Sequence, residues 1–496
     1  MQILSSILCL GLATIVAGFP ASDVSNVHLD PSIVEALEVL GKTPNQLRQP
    51  GSVPNPGHKP GTDLLPGIDH IVMLMMENHS FDNIWGTLDR PDIDGFDINH
   101  KTGKPVATVA QKYTNGSTQD LYPMPKTCQP TSNGPTQNWL SSHTQYNNGS
   151  MDGWVVGGGE KPIAMGYFTE DQLPFTHALG KTFPIGDRFF CSLLGQTWPN
   201  RMYLIGATSM GMVATGQNIT GLLPPRGTIF NMFDDYNISW ANYVAGYPET
   251  TSTPDLFTIS DLETLAKHGK PFDQFYADTA AGTLPQFSLL DENYTVQSQE
   301  NPQNIVAGEA MISDVVHALS ASPLWSKTLL IINYDEHGGY YDHVPPPVAL
   351  APDTIQPIVP AGEFEYEGYR RYGFRVPAMV ISPWSKKNHV SHMVYDHTSI
   401  LALLETKWNL PAMTMRDANA NNMLDFIDLE ALAKKKMNFP DVNKLGLGRP
   451  GNTTENLACS ATEDAGVIPP VGTVHAPSNG GKPGKSCIWL LVWICL

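Results

Sequence analysis

Residues 68–86 read IDHIVMLMMENHSFDNIWG, and this stretch decides the fold class. Its first part, residues 68–76, is mostly apolar and is unbroken from Ile71 to Met76, which is typical of a strand buried on both faces of a parallel sheet. The run leads directly into polar side chains that begin with Glu77 and Asn78. Ligands of open α/β sheets bind just beyond the carboxyl ends of the strands. The stretch therefore predicts a central strand whose end carries functional side chains.

Two more apolar runs, residues 328–332 and 376–381, predict further buried parallel strands of the same sheet. Amphipathic helical patterns cover residues 306–319 and 398–408. This alternation of strands and helices favours an α/β sandwich around a mostly parallel central sheet. The polar, glycine-rich segment at about 100–180 interrupts the alternation, so we expect it to leave the sheet and to shape the pocket.

The composition limits the classes of partner. The chain has 496 residues, and 48 acidic against 30 basic side chains give a net charge of −18. With 41% hydrophobic residues it can bury a sizeable core, which excludes disorder of the whole chain. The negative charge disfavours nucleic acid, whose phosphates it would repel, and prolonged docking on anionic membranes. We expect no nucleic-acid partner, and the sequence leaves the oligomeric state open.

The flanks of the chain predict export. Residues 1–18 combine a short apolar run with small residues before a cleavage point, as in a secretory signal peptide; a buried N-terminal helix is the alternative. Residues 22–66 are expected to form an extended arm, and residues 426–496 a C-terminal extension with an apolar end. That end resembles a lipid-anchor signal weakly, and a frayed terminus is the alternative. The predicted location is extracellular, with anchoring at the cell surface as the secondary alternative.

Modification motifs agree with export. Glycans are expected at six Asn-X-Ser/Thr sequons: Asn115, Asn148, Asn218, Asn237, Asn293 and Asn452. Removal of the signal would leave five cysteines, and this odd number leaves at least one thiol unpaired. We predict a disulfide between Cys128 and Cys459, whereas Cys191 lies in an apolar stretch and could equally be a buried free thiol.

A second polar group follows the predicted strand that begins at residue 328, and it starts with Asp335 and Glu336. Together with Glu77 and Asn78, it would bring three carboxylates and a carboxamide to one edge of the sheet. Converging carboxylates repel one another unless a cation lies between them, and such oxygen donors suit a divalent metal ion. The alternative is two separate turns whose acidic side chains face solvent. Oxygen ligands would permit Ca²⁺, Mg²⁺ or Mn²⁺ and, less typically, Zn²⁺.

A third polar group, residues 195–201, reads GQTWPNR. Pro199 fits the first turn of a helix, which places the Thr197 hydroxyl at or near a helix N-terminus. Such a position attracts anions and stabilises an alkoxide. A simple helix cap, which threonine often provides, is the alternative interpretation.

Several long motifs, in the same order along the chain, resemble the phosphoesterase family of bacterial and fungal phospholipases C and acid phosphatases. They are IDHIVMLMMENHSFDNIWG (68–86), MGYFTEDQLPFTHAL (165–179), GQTWPNRMYL (195–204), NYDEHGGYYDHVPPP (333–347), and VPAMVISPW with YDHTSILALLE (376–405). The resemblance covers roughly residues 67–425. It implies a catalytic domain with these bounds, built as an alkaline-phosphatase-like α/β/α sandwich with loop-rich insertions.

The resemblance also implies the roles of individual residues. One divalent metal ion would be bound by Glu77, Asn78, Asp335 and Glu336, and Thr197 would be both the nucleophile and a further ligand. Three histidines match family positions and would contact phosphate oxygens or protonate the leaving alcohol: His143, His343 and His397. One departure is Asn301, which stands where the family often has a phosphate-contacting histidine.

The predicted function is that of a secreted, metal-dependent phospholipase C. It would cleave phospholipids to diacylglycerol and a phosphorylated head group through a phospho-threonine intermediate, with transient contact to a membrane surface. An acid phosphatase for soluble phosphomonoesters is the alternative within enzymes, because it needs the same metal and nucleophile. A binding module with a decayed site is the alternative outside enzymes.

Overall fold

The computed structural model describes residues 29–129, 134–217, 224–245, 267–294, 297–301, 303–361, 363, 367–450 and 470–477. Some predictions from the sequence lie outside these residues. They are the signal peptide, the sequons at Asn218 and Asn452, the half-cystine Cys459 and the apolar C-terminal end.

The strands of the described residues are numbered β1 to β15 in chain order. Their bounds are β1 (His70–Met76), β2 (Asp97–Asn99), β3 (Lys104–Val106), β4 (Gln111–Lys112), β5 (Thr118–Gln119), β6 (Tyr122–Pro123), β7 (Gly166–Tyr167), β8 (Ile185–Gly186), β9 (Trp240–Val244), β10 (Gly269–Pro271), β11 (Phe287–Asp291), β12 (Thr328–Tyr334), β13 (Ala378–Ile381), β14 (Val390–Ser391) and β15 (Val474–His475). Eight of them form the main sheet in the order β10-β9-β11-β1-β12-β13-β8-β14.

The α-helices of the described residues are numbered in the same way. Their bounds are α1 (Pro31–Val39), α2 (Phe81–Trp85), α3 (Trp139–Tyr146), α4 (Trp154–Gly157), α5 (Pro174–Thr182), α6 (Thr197–Gly206), α7 (Ile229–Asp235), α8 (Phe272–Ala281), α9 (Ile305–Ala321), α10 (His397–Trp408), α11 (Met415–Asn419) and α12 (Leu429–Ala433). Helices α9 and α10 are the two that the amphipathic patterns predict. Helix α9 begins where the Asn304 side chain accepts a hydrogen bond from the N–H of Val306 at 3.2 Å.

The centre of the sheet is parallel and fully buried. Strand β1 pairs in parallel with β11 on one side and with β12 on the other. Every residue of β11 and β12 is buried. Because successive side chains of a strand point to opposite faces, both faces of the sheet must be covered. The predicted α/β sandwich with a mostly parallel sheet is therefore confirmed.

The direction of β13 differs from the prediction. Residues 376–381 were expected to form a parallel strand, but β13 runs antiparallel to both β12 and β8. An apolar run shows only that both faces of a strand are covered, and this holds for either direction. The reversal brings the N-terminal end of β13 to the edge where β12 ends, since Ala378 pairs with Asn333. Arg375, which precedes β13, thereby lies at the edge of the sheet that carries the polar clusters.

The polar segment expected to leave the sheet does so. It contains the short strands β2 to β7 and the helices α3 to α5. Strand β15 of the C-terminal extension pairs with β5 of this segment. Cys128 is disulfide-bonded, and its partner lies outside the described residues, whereas Cys191 is a buried free thiol. Within the described residues, the helices are too short or too polar to cross a membrane.

Candidate active site

The carboxyl ends of three neighbouring parallel strands, β11, β1 and β12, form the candidate site. Asp291 ends β11, Glu77 follows β1, and Asp335 follows β12. Met76 pairs with Tyr334, so Glu77 and Asp335 lie side by side, and the Asp335 N–H donates to the Met76 carbonyl at 3.0 Å. The structure therefore brings together the acidic residues of the two strand ends singled out from the sequence, and β11 adds a third strand end.

Asp335 and Glu336 each have one carboxylate oxygen that accepts hydrogen bonds from backbone N–H groups and one that accepts none from the described residues. Asp335 Oδ1 accepts hydrogen bonds from the N–H groups of Asn78 (2.9 Å) and Glu336 (2.7 Å). Glu336 Oε2 accepts a hydrogen bond from the N–H of Gly338 at 2.7 Å. The other oxygens, Asp335 Oδ2 and Glu336 Oε1, are buried and accept no hydrogen bond from the described residues. Buried polar atoms require a partner, and a cation fits these two.

The two strand-end loops touch at Gly338. A Cβ atom at this position would lie 1.9 Å from the carbonyl oxygen of Asn78, so only glycine fits. Gly338 and Asn78 have φ values of 65° and 63°, in the left-handed region that glycine and asparagine tolerate best. This close approach keeps Asn78 beside Asp335 and Glu336.

Thr197 is the first residue of α6, as the proline-containing motif predicts. Its Oγ1 lies 3.3 Å from Glu77 Oε2 and 3.3 Å from Asn78 Oδ1. Thr197 is half-buried, whereas Glu77 and Asn78 are buried, so the hydroxyl is the member of this group that a substrate can reach. The N-terminal end of α6 also favours negative charge beside the hydroxyl.

Burial and mutual repulsion control the charge of the site. Burial raises the pKa of Glu77 and of Glu336 well above the ordinary glutamate value, and the nearby charge of Asp335 raises both further. Arg201 opposes this rise, since its Nη2 lies 2.9 Å from Glu77 Oε1. When ionised, Glu77, Asp335 and Glu336 carry a net charge of −2 together with Arg201, and the neighbouring Asp291, Glu292 and Glu300 add further negative charge when ionised, so the site attracts a divalent cation. The donor set thus fits such an ion.

Sequence reasoning missed four residues of this cluster. Arg201 lies one helical turn after Thr197 and so points to the same side of α6. Asp291 ends β11 and Glu292 follows it, and this strand was not identified from its short apolar run. Glu300 is largely buried near Asp335, and burial raises its pKa to about 7. The four-residue spacing between Thr197 and Arg201 could have predicted that Arg201 lies at the site. The positions of Asp291, Glu292 and Glu300 depend on how β11 and the residues after it pair and pack beside β1, which no local pattern shows.

The structure places the three predicted histidines differently. His397 begins α10, and its Nε2 lies 2.7 Å from the carbonyl oxygen of Asp335, while its Nδ1 lies 3.0 Å from Asn333 Nδ2. Burial lowers its pKa, so this ring is neutral and supports the end of β12. His143 lies on α3, with Nδ1 2.7 Å from the carbonyl oxygen of Trp139. Burial lowers the pKa of His143 to about 4.

His343 belongs to a separate cluster with Asp82 and Asp342. Among the described residues, this is the one group of at least three acidic, histidine or cysteine side chains whose ligand atoms lie within 4.8 Å of one another, so it could hold a metal ion. Arg375, however, already binds both carboxylates, with Nη2 2.9 Å from Asp82 Oδ1 and Nε 2.9 Å from Asp342 Oδ1. The guanidinium neutralises the charges on which an ion at this place would depend.

The His343 ring is held from both sides in this cluster. Nδ1 lies 2.6 Å from Asp82 Oδ2, and Nε2 lies 3.2 Å from Asp94 Oδ1. Burial opposes a charged ring, but the two carboxylates outweigh burial and raise the pKa of His343 to about 10. The ring is therefore an imidazolium at neutral pH, engaged by protein carboxylates.

His343→Gln is expected to lower the free energy of unfolding by about 3 kcal/mol at pH 6, because it removes a buried ion pair. The raised pKa stabilises the fold fully below the ordinary histidine pKa, and this contribution is lost as the pH rises through about 10. Chemical denaturation should therefore show a large loss of unfolding free energy at pH 6 and a smaller loss at pH 9.5. His392→Gln, at a histidine with 58% of its side chain exposed, is the control and should cost about 0.5 kcal/mol or less. An equal loss of unfolding free energy at both pH values would contradict the conclusion that the His343 ring is charged.

Comparison with known proteins gives a consistent assignment. Residues 68–411 match the Phosphoesterase family. Phospholipase C B of Mycobacterium tuberculosis is 32% identical, over 80% of this chain and 84% of that protein. Non-specific phospholipase C3 of Arabidopsis thaliana is 29% identical, over 72% of each chain. Non-hemolytic phospholipase C of Pseudomonas aeruginosa is 30% identical, over 70% of this chain and 54% of that protein.

Among solved structures, a protein of the alkaline phosphatase superfamily from Vibrio parahaemolyticus aligns with 62% of this chain and 74% of its own chain. The sequence identity of this pair is 10% and the TM-score is 0.30.

Proposed function

The chain belongs to the Phosphoesterase family, and on that premise we propose that it is a metal-dependent phospholipase C with Thr197 as its nucleophile. It is a hydrolase that acts on phosphoester bonds. One observation carries the proposal: the half-buried Thr197 Oγ1 lies 3.3 Å from both Glu77 Oε2 and Asn78 Oδ1, beside oxygens of Asp335 and Glu336 that accept no hydrogen bond from the described residues.

The residues that would hold the ion are Glu77, Asn78, Thr197, Asp335 and Glu336. Bound there, a divalent ion would supply Lewis-acid chemistry, since it lowers the pKa of a hydroxyl and neutralises phosphate charge. The free oxygens of Asp335 and Glu336 and the net charge of the cluster support this assignment. Four of these residues follow the ends of β1 and β12, and Thr197 begins α6, so the sheet and α6 set their spacing.

The proposed reaction begins at Thr197. Its Oγ1 attacks the phosphorus of the phospholipid, and the bond between phosphorus and the glycerol oxygen breaks, which releases diacylglycerol after protonation of that oxygen. Glu77 Oε2 and Asn78 Oδ1 are the acceptors that face the hydroxyl, and of these the carboxylate can take up its proton. Water then attacks the phospho-threonine and releases the phosphorylated head group.

The roles of the histidines remain part of this proposal. His143 stays a candidate for contact with a phosphate oxygen, but its lowered pKa of about 4 opposes a role as proton donor, and Glu77 can instead pass the proton of the Thr197 hydroxyl to the leaving oxygen. The contacts of His343 and His397 favour support of the site instead, because both ring nitrogens of each already face protein groups.

The charge of the site favours a phosphodiester over a phosphomonoester. Arg201 is the only cation that forms an ion pair with Glu77 or Asp335 among the described residues, and His337 beside Glu336 is neutral because burial lowers its pKa to about 3. Because Asp291, Glu292 and Glu300 add acidic groups to the cluster, one divalent ion would leave it without excess positive charge. A dianionic monoester is then bound less favourably than a monoanionic diester such as a phospholipid.

Secretion, glycosylation and membrane contact are also proposals. Asn115, Asn148 and Asn237 are exposed and can carry glycans, whereas Asn293 is half-buried. The disulfide of Cys128 agrees with an oxidising compartment, and we propose Cys459 as its partner. The phospholipase activity would require transient contact with a lipid surface.

A paired assay tests the proposed substrate. The purified chain is offered phosphatidylcholine vesicles and p-nitrophenyl phosphate side by side, with and without a chelator. We expect chelator-sensitive release of diacylglycerol and phosphocholine, and monoester hydrolysis at least about tenfold slower in kcat/KM, which corresponds to about 1.4 kcal/mol of charge discrimination. Monoester hydrolysis without lipid hydrolysis would contradict the phospholipase and favour the acid phosphatase.

A further inference from the structure

We propose that Arg201 is a positioning residue that orients the metal-ligating carboxylates of Glu77 and Asp335 and ties them to the helix of the nucleophile. The inference rests on the metal site proposed above and assigns a residue to which neither the motifs nor the comparisons give a role. Arg201 is buried, with 2% of its side chain exposed, so its contacts are to protein groups.

The guanidinium spans all three strand ends of the site. Nη2 lies 2.9 Å from Glu77 Oε1 after β1, and Nε lies 3.4 Å from Asp335 Oδ2 after β12. Nη1 lies 3.7 Å from Asp291 Oδ1 at the end of β11. Nη2 also donates to the carbonyl oxygen of Met75 at 3.4 Å, so the backbone of β1 also fixes the position of the guanidinium.

This arrangement selects which oxygen of Glu77 faces the nucleophile. Because Arg201 takes Oε1, Oε2 is turned toward Thr197 Oγ1 at 3.3 Å. Thr197 and Arg201 lie one turn apart on α6, so the same helix carries the nucleophile and the group that orients its neighbour. A shift of α6 would therefore move both together relative to the strand ends.

Arg201 also offsets part of the negative charge of the metal-ligating carboxylates. Without it, the carboxylates of Glu77, Asp335 and Glu336 would carry −3 when ionised, and a divalent ion would leave them uncompensated. A lysine would keep the charge but not the planar fork that reaches two carboxylates at once. Charge and orientation can therefore be separated by substitution.

The test compares R201K and R201Q with the wild type and with R90K. Arg90 is the control, because it is a buried arginine whose guanidinium, within the described part of the chain, donates only to backbone carbonyls, those of Gly180, Phe183 and His389. The full-length proteins are stripped with a chelator and titrated with MnCl₂ by calorimetry. In parallel, phosphatidylcholine hydrolysis is measured as a function of the Mn²⁺ concentration, and kcat and KM are taken at saturating Mn²⁺.

We expect R201K to bind Mn²⁺ about 10- to 100-fold more weakly than the wild type, as for other residues that orient metal ligands, and R201Q to bind at least as weakly. The Mn²⁺ concentration for half-maximal activity should rise by the same factor in R201K, while KM for lipid stays within about twofold. R90K should keep the Mn²⁺ affinity of the wild type. R201K keeps the positive charge in the cluster and is therefore the variant that tests orientation if R201Q does not fold.

Two results would overturn the inference. Wild-type Mn²⁺ affinity in R201K would show that the fork does not orient the ligands, and equal weakening in R201K and R90K would show a general effect of losing a buried arginine. Neither result would contradict the proposed metal site itself. A wild-type chain that binds none of Mn²⁺, Ca²⁺, Mg²⁺ or Zn²⁺ would instead remove the metal site, and this inference with it.

Discussion

Thr197→Ala is expected to lower kcat for phospholipid hydrolysis by about 10⁴-fold or more, because it removes the only atom proposed to attack phosphorus. The fold should be unchanged, since Thr197 is half-buried at the start of α6 and, among the residues that the structure describes, its hydroxyl bonds only to Glu77 and Asn78. Release of diacylglycerol, followed by chromatography, measures the rate, and thermal unfolding checks the fold.

Two matched variants make this result specific to the hydroxyl of Thr197. Thr197→Ser keeps a hydroxyl at the same place and should retain substantial activity. Thr215→Ala removes a nearby hydroxyl that accepts a hydrogen bond from the Trp198 N–H at 3.2 Å, and it should leave the rate close to that of the wild type. Substantial activity in Thr197→Ala would exclude a phospho-threonine intermediate at this position.

Removal of the divalent ion is expected to lower kcat/KM by about 10³-fold or more, since an ion of this kind contributes several kcal/mol of transition-state stabilisation. Chelation should also lower the Tm, because bound ions stabilise the folded state and because the carboxylates of Glu77, Asp335 and Glu336 would repel one another. Activity and Tm should both return when Mn²⁺, Ca²⁺, Mg²⁺ or Zn²⁺ is added back, and the ion that restores them identifies the cofactor.

Glu336→Gln should produce the same loss of kcat/KM without a chelator, because it replaces a proposed metal ligand whose Oε1 is buried and accepts no hydrogen bond from the described residues. Glu170→Gln is the control, since Glu170 is an exposed residue whose ion pair with Lys181 lies on the surface. A chelated enzyme with full activity, together with an active Glu336→Gln variant, would contradict metal dependence.

Much of the candidate site could be predicted from the sequence because it follows from local patterns. The apolar run of β1 and the polar residues after it are contiguous, and the same is true of β12. Parallel strands end at one edge of a sheet, so two such runs predict that Glu77 and Asp335 meet. The helix beginning at Thr197 was likewise local, because Pro199 restricts the backbone of the first turn.

Other features depend on long-range pairing and could not be predicted. The antiparallel direction of β13 places Arg375 against Asp82 and Asp342, and no local signal distinguishes the direction of a strand that is buried on both faces. This pairing also engages His343 with carboxylates of the protein. The motif shows that a histidine is present but not which groups already occupy its nitrogens.

The sequence by itself determined the fold class and the positions of the polar strand ends, because hydrophobic periodicity is set by neighbours along the chain, whereas the nucleophile role of Thr197 is implied by the family resemblance. Only the tertiary structure decided how the site is charged and held. Arg201 lies between Glu77 and Asp335 because α6 packs across the ends of three strands that are far apart in the sequence. The pKa values of Glu77 and Glu336 are raised because folding removes them from water, and burial is a property of the packed molecule.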